Sequence, residues 1–241
     1  MPVGRYVMAD GDTKSVAIVS EPFANIEPKA EDWLDKDFLK VEKIRSIAVT
    51  TGTATNDWRM SRETESGEWK LAEAKPDEKL DTSKVSNFNW MLTSVSFHDV
   101  AKPDVKPEQT GLDKPITAHV ATFEDFTYVV KIGKSESDSR HYVQFATSAN
   151  IAKERAEGKD EKKEDKEKLD KEFKDKATKA QEKLKKEQLH DKWVYVVDKY
   201  SIESLLKSRH EFRAEDKKEA EVNAESKPPG LQDSLIPQFP K

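Results

Sequence analysis

The sequence contains no cysteine, which excludes a disulfide scaffold, a thiolate zinc site and a cysteine nucleophile while leaving the redox compartment open. Glycine is scarce. Eight glycines in 241 residues form no phosphate-cradling loop, no dinucleotide fingerprint and no Gly-x-Ser-x-Gly elbow. Long apolar runs are missing as well: nothing approaches the roughly 18 residues that a membrane-spanning helix needs. Met1 to Arg5 lead into strand-like sequence without the apolar core of a signal peptide, so the expectation is a soluble chain with no membrane span of its own. Neither sign of charge dominates, since 42 Lys and Arg stand against 47 Asp and Glu for a net charge of −5. Such a balance argues against nonspecific attraction to nucleic acid or anionic lipid.

What is present in bulk is charge. Charged residues make up 37% of the chain and hydrophobic ones 35%, with a mean hydropathy of −0.87. A chain of 27.5 kDa has room for a real core, so the polarity must be concentrated in a solvated stretch. That stretch is Lys153 to Lys192, where roughly 28 of 40 residues are charged with the signs intermixed and helix formers dominate. Within it Leu169, Phe173, Ala177, Ala180 and Leu184 draw one narrow apolar seam. The seam is compatible with a short helical hairpin or a coiled-coil contact; otherwise the run is a solvated helix laced with ion pairs. About 36 helical residues would span on the order of 54 Å. One straight helix of that length cannot connect neighbouring strands, so the insertion is expected to fold back or to contain a flexible section near Gly158.

The remainder reads as strands around one packed helix. Arg5 to Ala9 and Ser15 to Val19 flank Asp10-Gly11, a hairpin signal, and Ala30 to Phe38 has helical spacing at Trp33, Leu34 and Phe38. Short strands follow at Ile44 to Val49, Trp58 to Met60 and Glu68 to Leu71. Asp81 offers a cap to a helix in which Val85, Phe88, Leu92 and Val95 recur at intervals of three, four and three, and this is expected to be the principal core helix, with Trp90 and Met91 widening its apolar face. After a proline-bracketed turn at Thr110 to Pro115 come strands at Ile116 to Phe123, Phe126 to Ile132 and Arg140 to Phe145. Trp193 to Val197 form the most evident strand of the chain, which should be central or well covered, and a short helix follows at Ser201 to Leu206. The tail beyond Glu215, rich in charge and then proline, is expected to be extended or disordered unless it docks through Leu235, Ile236 and Phe239. The fold class is therefore α+β, a mainly antiparallel sheet with one principal packed helix and a charged helical insertion. The division is 1–40, the end of an upstream repeat unit; 41–150, the main domain; 151–191, the insertion; 192–215, the closing strand and helix; and 216–241, the tail. The repeat rests on a rhyme between Arg5-Tyr6-Val7-Met8-Ala9-Asp10 and Lys192-Trp193-Val194-Tyr195-Val196-Val197-Asp198.

An ordered set of motifs resembles a bacterial family catalogued as a domain of unknown function. The set comprises Trp69-Lys70-Leu71, the Asp-started stripe from Asp81 to Val95, the turn Gly111-Leu112-Asp113-Lys114-Pro115, Ile132-Gly133, Tyr142-Val143 and the closing run Val194 to Val197. The resemblance covers roughly Val41 to Leu206, and the charged insertion departs from it. It implies tandem domains behind a membrane anchor, in envelope proteins encoded beside ABC-type exporters of the gliding-motility kind. No catalytic residues come with it, and the anchor is absent here, as in a trimmed fragment or a soluble relative.

Few residues point to chemistry. The five histidines show no paired-ligand spacing on a helix; His98 and Asp99 would point to opposite sides if extended, and His119 and His141 read as ordinary strand histidines. Glu124-Asp125 reads as a hairpin turn and Asp35-Lys36-Asp37 as a solvated helix end. Trp58, Trp69, Trp90 and Trp193 read as core. No catalytic, cofactor or metal residues are expected. Candidate partner-binding residues are Trp33 and Phe38, if exposed together, and Leu169, Phe173 and Leu184 of the seam. The expected function is a noncatalytic scaffold or partner-binding module of a bacterial envelope assembly, accessory to an ABC-type exporter, with other envelope proteins as partners. The alternative is a small-ligand binder or an enzyme whose site is assembled only in three dimensions.

Overall fold

A computed structural model describes residues 4–20, 29, 33–35, 38–75, 78–156, 161 and 163–214. The chain divides into two compact units, Met1–Asp37 and Phe38–Lys241.

In the first unit, β1 (Arg5–Val7) and β2 (Ala17–Val19) pair antiparallel, with Tyr6 opposite Ile18 and Val7 opposite Ala17. The chain turns at Asp10-Gly11, where Gly11 takes φ +83°, a left-handed conformation that glycine adopts without steric cost. The Asp12 carboxylate then accepts hydrogen bonds from the amides of Lys14 (2.9 Å) and Ser15 (3.2 Å). Most of the helix expected over Ala30 to Phe38 lies outside the described residues, as do Gly158 and the tail from Glu215 onward.

The second unit is built on an eight-stranded antiparallel sheet. In chain order its strands are β3 (Ile44–Thr50), β4 (Trp58–Ser61), β5 (Lys70–Leu71), β6 (Phe97–Val100), β7 (Ile116–Thr122), β8 (Phe126–Ser137), β9 (Arg140–Ala149) and β10 (Val194–Asp198). Their spatial order is β5-β4-β3-β7-β8-β9-β10-β6. Alternation decides which side is buried, because successive strand residues face opposite ways. Met60, Ile47, Val120, Tyr128 and Thr147 lie opposite one another across five strands on the buried face, as do Ala118, Val130 and Phe145. The other face carries Arg59, His119 and Lys131 into solvent. β10 sits between β9 and β6 with Tyr195, Val196 and Val197 buried, as its apolar run requires. The β9–β10 pair sets Tyr142 opposite Val196 and Val143 opposite Tyr195.

The buried face is covered less by helix than the periodicity predicts. Val85, Phe88, Leu92 and Val95 are all buried, but the α-helix there, α1, runs only from Thr82 to Val85; a 3-10 turn follows over Ser86–Asn89, and irregular turns after it. Local side-chain competition explains the early stop. Asp81 caps the amide of Ser83 (3.0 Å), the Ser86 hydroxyl donates to the Ser83 carbonyl (2.9 Å), and the Asn89 carbonyl oxygen accepts from the Arg62 guanidinium (2.7 Å) and the Trp69 indole (3.3 Å). Ser and Asn favour such bonds over helix propagation. As the helix ends, Trp90 swings outward and is 63% exposed, a correction to its placement in the core. Trp193, 46% exposed, is corrected likewise: β10 starts one residue after it.

Two aromatic clusters fill the space between the sheet and its cover. Phe88 packs against Trp58, Trp69 and Phe212 at centroid distances of 4.9 to 5.6 Å among the four rings. The helix α4 (Lys199–Leu206) closes this side, burying Ile202 and Leu205 and accepting through the Ser204 hydroxyl a hydrogen bond from Asn87 (2.7 Å). The second cluster gathers Phe97, Phe145 and Tyr195 around Phe38.

The glycines of two resemblance motifs meet. Behind α2 (Pro107–Thr110), Gly111 has φ +75°, and a Cβ there would lie 2.6 Å from the Lys134 amide nitrogen; a Cβ on Gly133 would collide with the Thr110 carbonyl oxygen. Both positions exclude a side chain because the two backbones touch.

The insertion returns by a single helix, α3 (Lys163–Glu187). Its 25 residues rise roughly 37 Å. After β9, Arg155 ties the chain to the helix through Asp170 (2.8 Å). Among the described residues α3 is the one α-helix of the insertion. Among the described residues no helix is long and apolar enough to cross a membrane.

Candidate partner-binding site

The C-terminal end of α3 is the part anchored to the sheet. The Tyr128 hydroxyl, deep in the buried face, donates to the Glu187 carboxylate (2.8 Å), and Lys183 lies 3.9 Å from the same carboxylate. Burial raises the Glu187 carboxyl pKa, against the Tyr128 hydrogen bond that lowers it, and burial likewise pushes the Tyr128 phenol upward. A turn further on, the Asp191 carboxylate accepts from the Thr147 amide (3.1 Å). The helix is therefore stapled to β8 and β9 at one end.

Between α3 and the β7–β8 turn a groove of about 540 Å³ remains open. Lys176, Lys179, Ala180 and Lys183 form its helical wall, at the spacing that puts them on one face. The half-buried Phe123 supplies an apolar floor, with Phe126 buried beneath Lys183, and Lys43, Glu65 and Glu124 complete the lining. The turn is held by Asp125 at φ +59° and by the Thr122 hydroxyl, which accepts from the Phe126 amide (3.1 Å). On the opposite wall Lys43, at φ +52°, accepts through its carbonyl from the Phe123 amide (2.9 Å). Its ammonium pairs with Glu124 (2.8 Å), which raises the Lys43 pKa. Lys183 stands 4.8 Å above the Phe126 ring and 4.0 Å from Glu124. Four ammonium groups and two carboxylates leave the groove with a net positive charge in a chain that is acidic overall.

The seam residues lie along this same helix. Leu169 is 36% exposed, while Phe173 and Leu184 are half-buried. Trp33, in the first unit, is 67% exposed. Phe38 is not an exposed anchor: it is only 8% exposed, with the rings of Tyr195 at 4.6 Å, Phe97 at 4.9 Å, His190 at 5.1 Å and Phe145 at 5.4 Å. Its environment is core because the buried face of β9 and β10 presents aromatic side chains that only another ring fills well.

One imidazole does meet a carboxylate. His98 Nε2 faces both oxygens of Asp198 at 2.8 Å, and Arg140 donates to His98 Nδ1 (3.2 Å), an arrangement that calls for the ring proton on Nε2. The side chains are 41% and 21% exposed, so the pair is open to water, and it staples β6, β9 and the end of β10 together. His119 and His141 stay apart, since β8 lies between their strands. Among the described residues no group of three His, Cys, Asp or Glu side chains is placed to hold a metal ion.

The groove itself is absent from the sequence reading. Lysines at 176, 179 and 183 repeat at helical spacing, a visible signal, but they are buried in a run where nearly every position is charged. Nothing in the sequence connects them with Lys43, Glu65 or Phe123, more than 50 residues away.

A family model described as Domain of unknown function (DUF4340) matches residues 2–115. The chain is similar to that family across the hairpin, β3 to β6 and the Gly111 to Pro115 turn, while β7 to β10 and α3 follow the matched region. No curated protein and no solved structure matches the chain.

Proposed function

We propose that this chain is a noncatalytic partner-binding module of a bacterial cell-envelope assembly, accessory to an ABC-type exporter, and that it contacts other envelope proteins along α3. The envelope setting comes from the motif resemblance, with its ordered set from Trp69 to Val197. The observation that carries the binding role is the state of α3: one end is stapled to the sheet through Glu187 and Asp191, while Leu169, Phe173 and Leu184 keep part of their surface exposed and a groove stays open alongside. A helix whose apolar seam is only partly covered by its own domain gains by burying the remainder against a partner.

The test is site-specific photocrosslinking in the native cell, with the crosslinker at Leu169 or Phe173 and, as control, at Arg59 on the solvated face of the sheet. Adducts with exporter components that form at the helix and not at Arg59 are expected. Equal labelling at all three positions, or adducts confined to unrelated cytosolic proteins, would refute the reading.

A further inference from the structure

The groove beside α3 specifies what kind of partner it takes, an inference that rests on the partner-binding reading above. Its cations are not equivalent. Lys43 is engaged by Glu124 at 2.8 Å, and Lys183 is shared between Glu124 at 4.0 Å, Glu187 at 3.9 Å and the face of Phe126. Lys176 and Lys179 line the same groove, are exposed, and have no carboxylate within 4.0 Å among the described residues. Of the four cations lining the groove, Lys43 and Lys183 have carboxylate partners, and Lys176 and Lys179 are left open to an external anion. Beneath them the half-buried Phe123 offers an apolar floor, Phe126 lying buried under Lys183, and the volume of about 540 Å³ falls within the roughly 300 to 1,000 Å³ of typical ligand sites.

We infer that the groove binds an acidic segment of a partner protein that carries an aromatic or branched aliphatic side chain, with its carboxylates on Lys176 and Lys179 and the apolar side chain on Phe123. Glu65 and Glu124 sharpen the selection by repelling acidic side chains that enter elsewhere and by holding Lys43 and Lys183 in place. Charged groups at such a rim set partner choice and encounter rate more than they set total affinity. A partner strand suits the geometry, since its alternate residues lie on one face about 6.6 Å apart, within reach of two long lysine side chains one helical turn apart.

The experiment uses the full chain and a fluorescein-labelled peptide alternating aspartate with phenylalanine, followed by fluorescence anisotropy. Saturable binding that weakens with added salt is expected, together with at least tenfold weaker binding of the asparagine counterpart. The double variant Lys176→Glu/Lys179→Glu should lose about tenfold or more, and Lys176→Gln/Lys179→Gln a smaller amount. Lys114→Glu/Lys131→Glu, remote from the groove, should bind as the unaltered protein does. Equal binding of the asparagine peptide, unaltered binding by the groove variants, or stronger retention on phosphatidylglycerol vesicles than on the peptide would overturn the inference. Crosslinks to exporter components at Phe173 without acidic-peptide binding would leave the partner-binding role standing and remove this one; peptide binding without those crosslinks would do the reverse.

Discussion

Glu78 is held by two arginines, and replacing it with glutamine tests how the segment from Arg209 to Ala214 is held. Its side chain is 1% exposed and receives Arg209 through two contacts (2.9 and 3.0 Å) and Arg213 through a third (3.0 Å). Around it the chain pairs Leu80 with Arg213, and the Asp81 and Ala214 amides donate to the Phe212 and Lys79 carbonyls (both 2.9 Å). This closes Phe212 over Trp58 and Phe88. The Arg209 hydrogen bond, followed by the Lys75 amide and Arg213, outweighs burial and holds the Glu78 carboxyl at about 2 instead of 4.5. At 1.36 kcal/mol per tenfold change in proton affinity, that displacement is worth roughly 3 kcal/mol. The arginines keep 22% and 47% of their side chains in water, so screening reduces the figure to about 2 kcal/mol. Because the folded pKa is depressed, this stability is complete above pH 4.5 and is lost as pH falls towards 2. Urea unfolding of the wild-type chain and Glu78→Gln should therefore differ by about 2 kcal/mol at pH 7, equivalent to a thermal midpoint lowered by roughly 4–8 °C, and the gap should narrow to about 1 kcal/mol near pH 3.5. A gap that stays constant from pH 7 to pH 3.5, or is undetectable at pH 7, would refute the argument.

Three further outcomes follow from the same structure. Phe88→Ala should cost about 3–5 kcal/mol in denaturant unfolding by emptying the centre of an aromatic cluster, whereas Trp90→Ala, two residues on, should stay within about 0.5 kcal/mol; similar losses at both would restore the continuous helix. Gly111→Ala and Gly133→Ala should each destabilise by more than the roughly 1–2 kcal/mol of a left-handed backbone alone, because the new methyl group meets backbone atoms, while Gly52→Ala, at φ +82° with open space around it, should cost only the conformational part; thermal melts of the three variants rank them. Tyr128→Phe removes the donor that lowers the Glu187 pKa, so the already raised carboxyl rises further. Its penalty should be about 1–3 kcal/mol at pH 7 and should shrink as the pH falls towards 4 and the carboxyl becomes neutral, and a penalty independent of pH would count against a charged Glu187.

The legible parts of the sequence were those in which one short window contains the whole reason. Val194 to Val197 could be read as a covered strand because successive apolar residues satisfy both faces of a sheet, and Glu124-Asp125 as a turn because two polar residues separate two apolar runs. The stripe Val85, Phe88, Leu92 and Val95 identified four buried residues but not their backbone: burial depends on spacing, and a brief helix, a 3-10 turn and irregular turns satisfy intervals of three and four as well as a continuous helix does. What decided the matter was Arg62 and Trp69 reaching Asn89 from other elements, contacts that no window around Asn89 contains. Phe38 was misread for the same reason, since its partners come from positions 97, 145, 190 and 195.

The sequence by itself determined the α+β class, the strands of the sheet other than β6 and the helical character of the charged insertion, because alternation, turn residues and helix propensity act over a few residues. Only the tertiary structure decided that the end of α3 is held by Tyr128, that the Gly111 and Gly133 motifs touch, and that Lys176 and Lys179 share a groove with Phe123. These depend on which distant side chains come within a few ångströms, and that proximity is a property of the packed chain, absent from any local pattern.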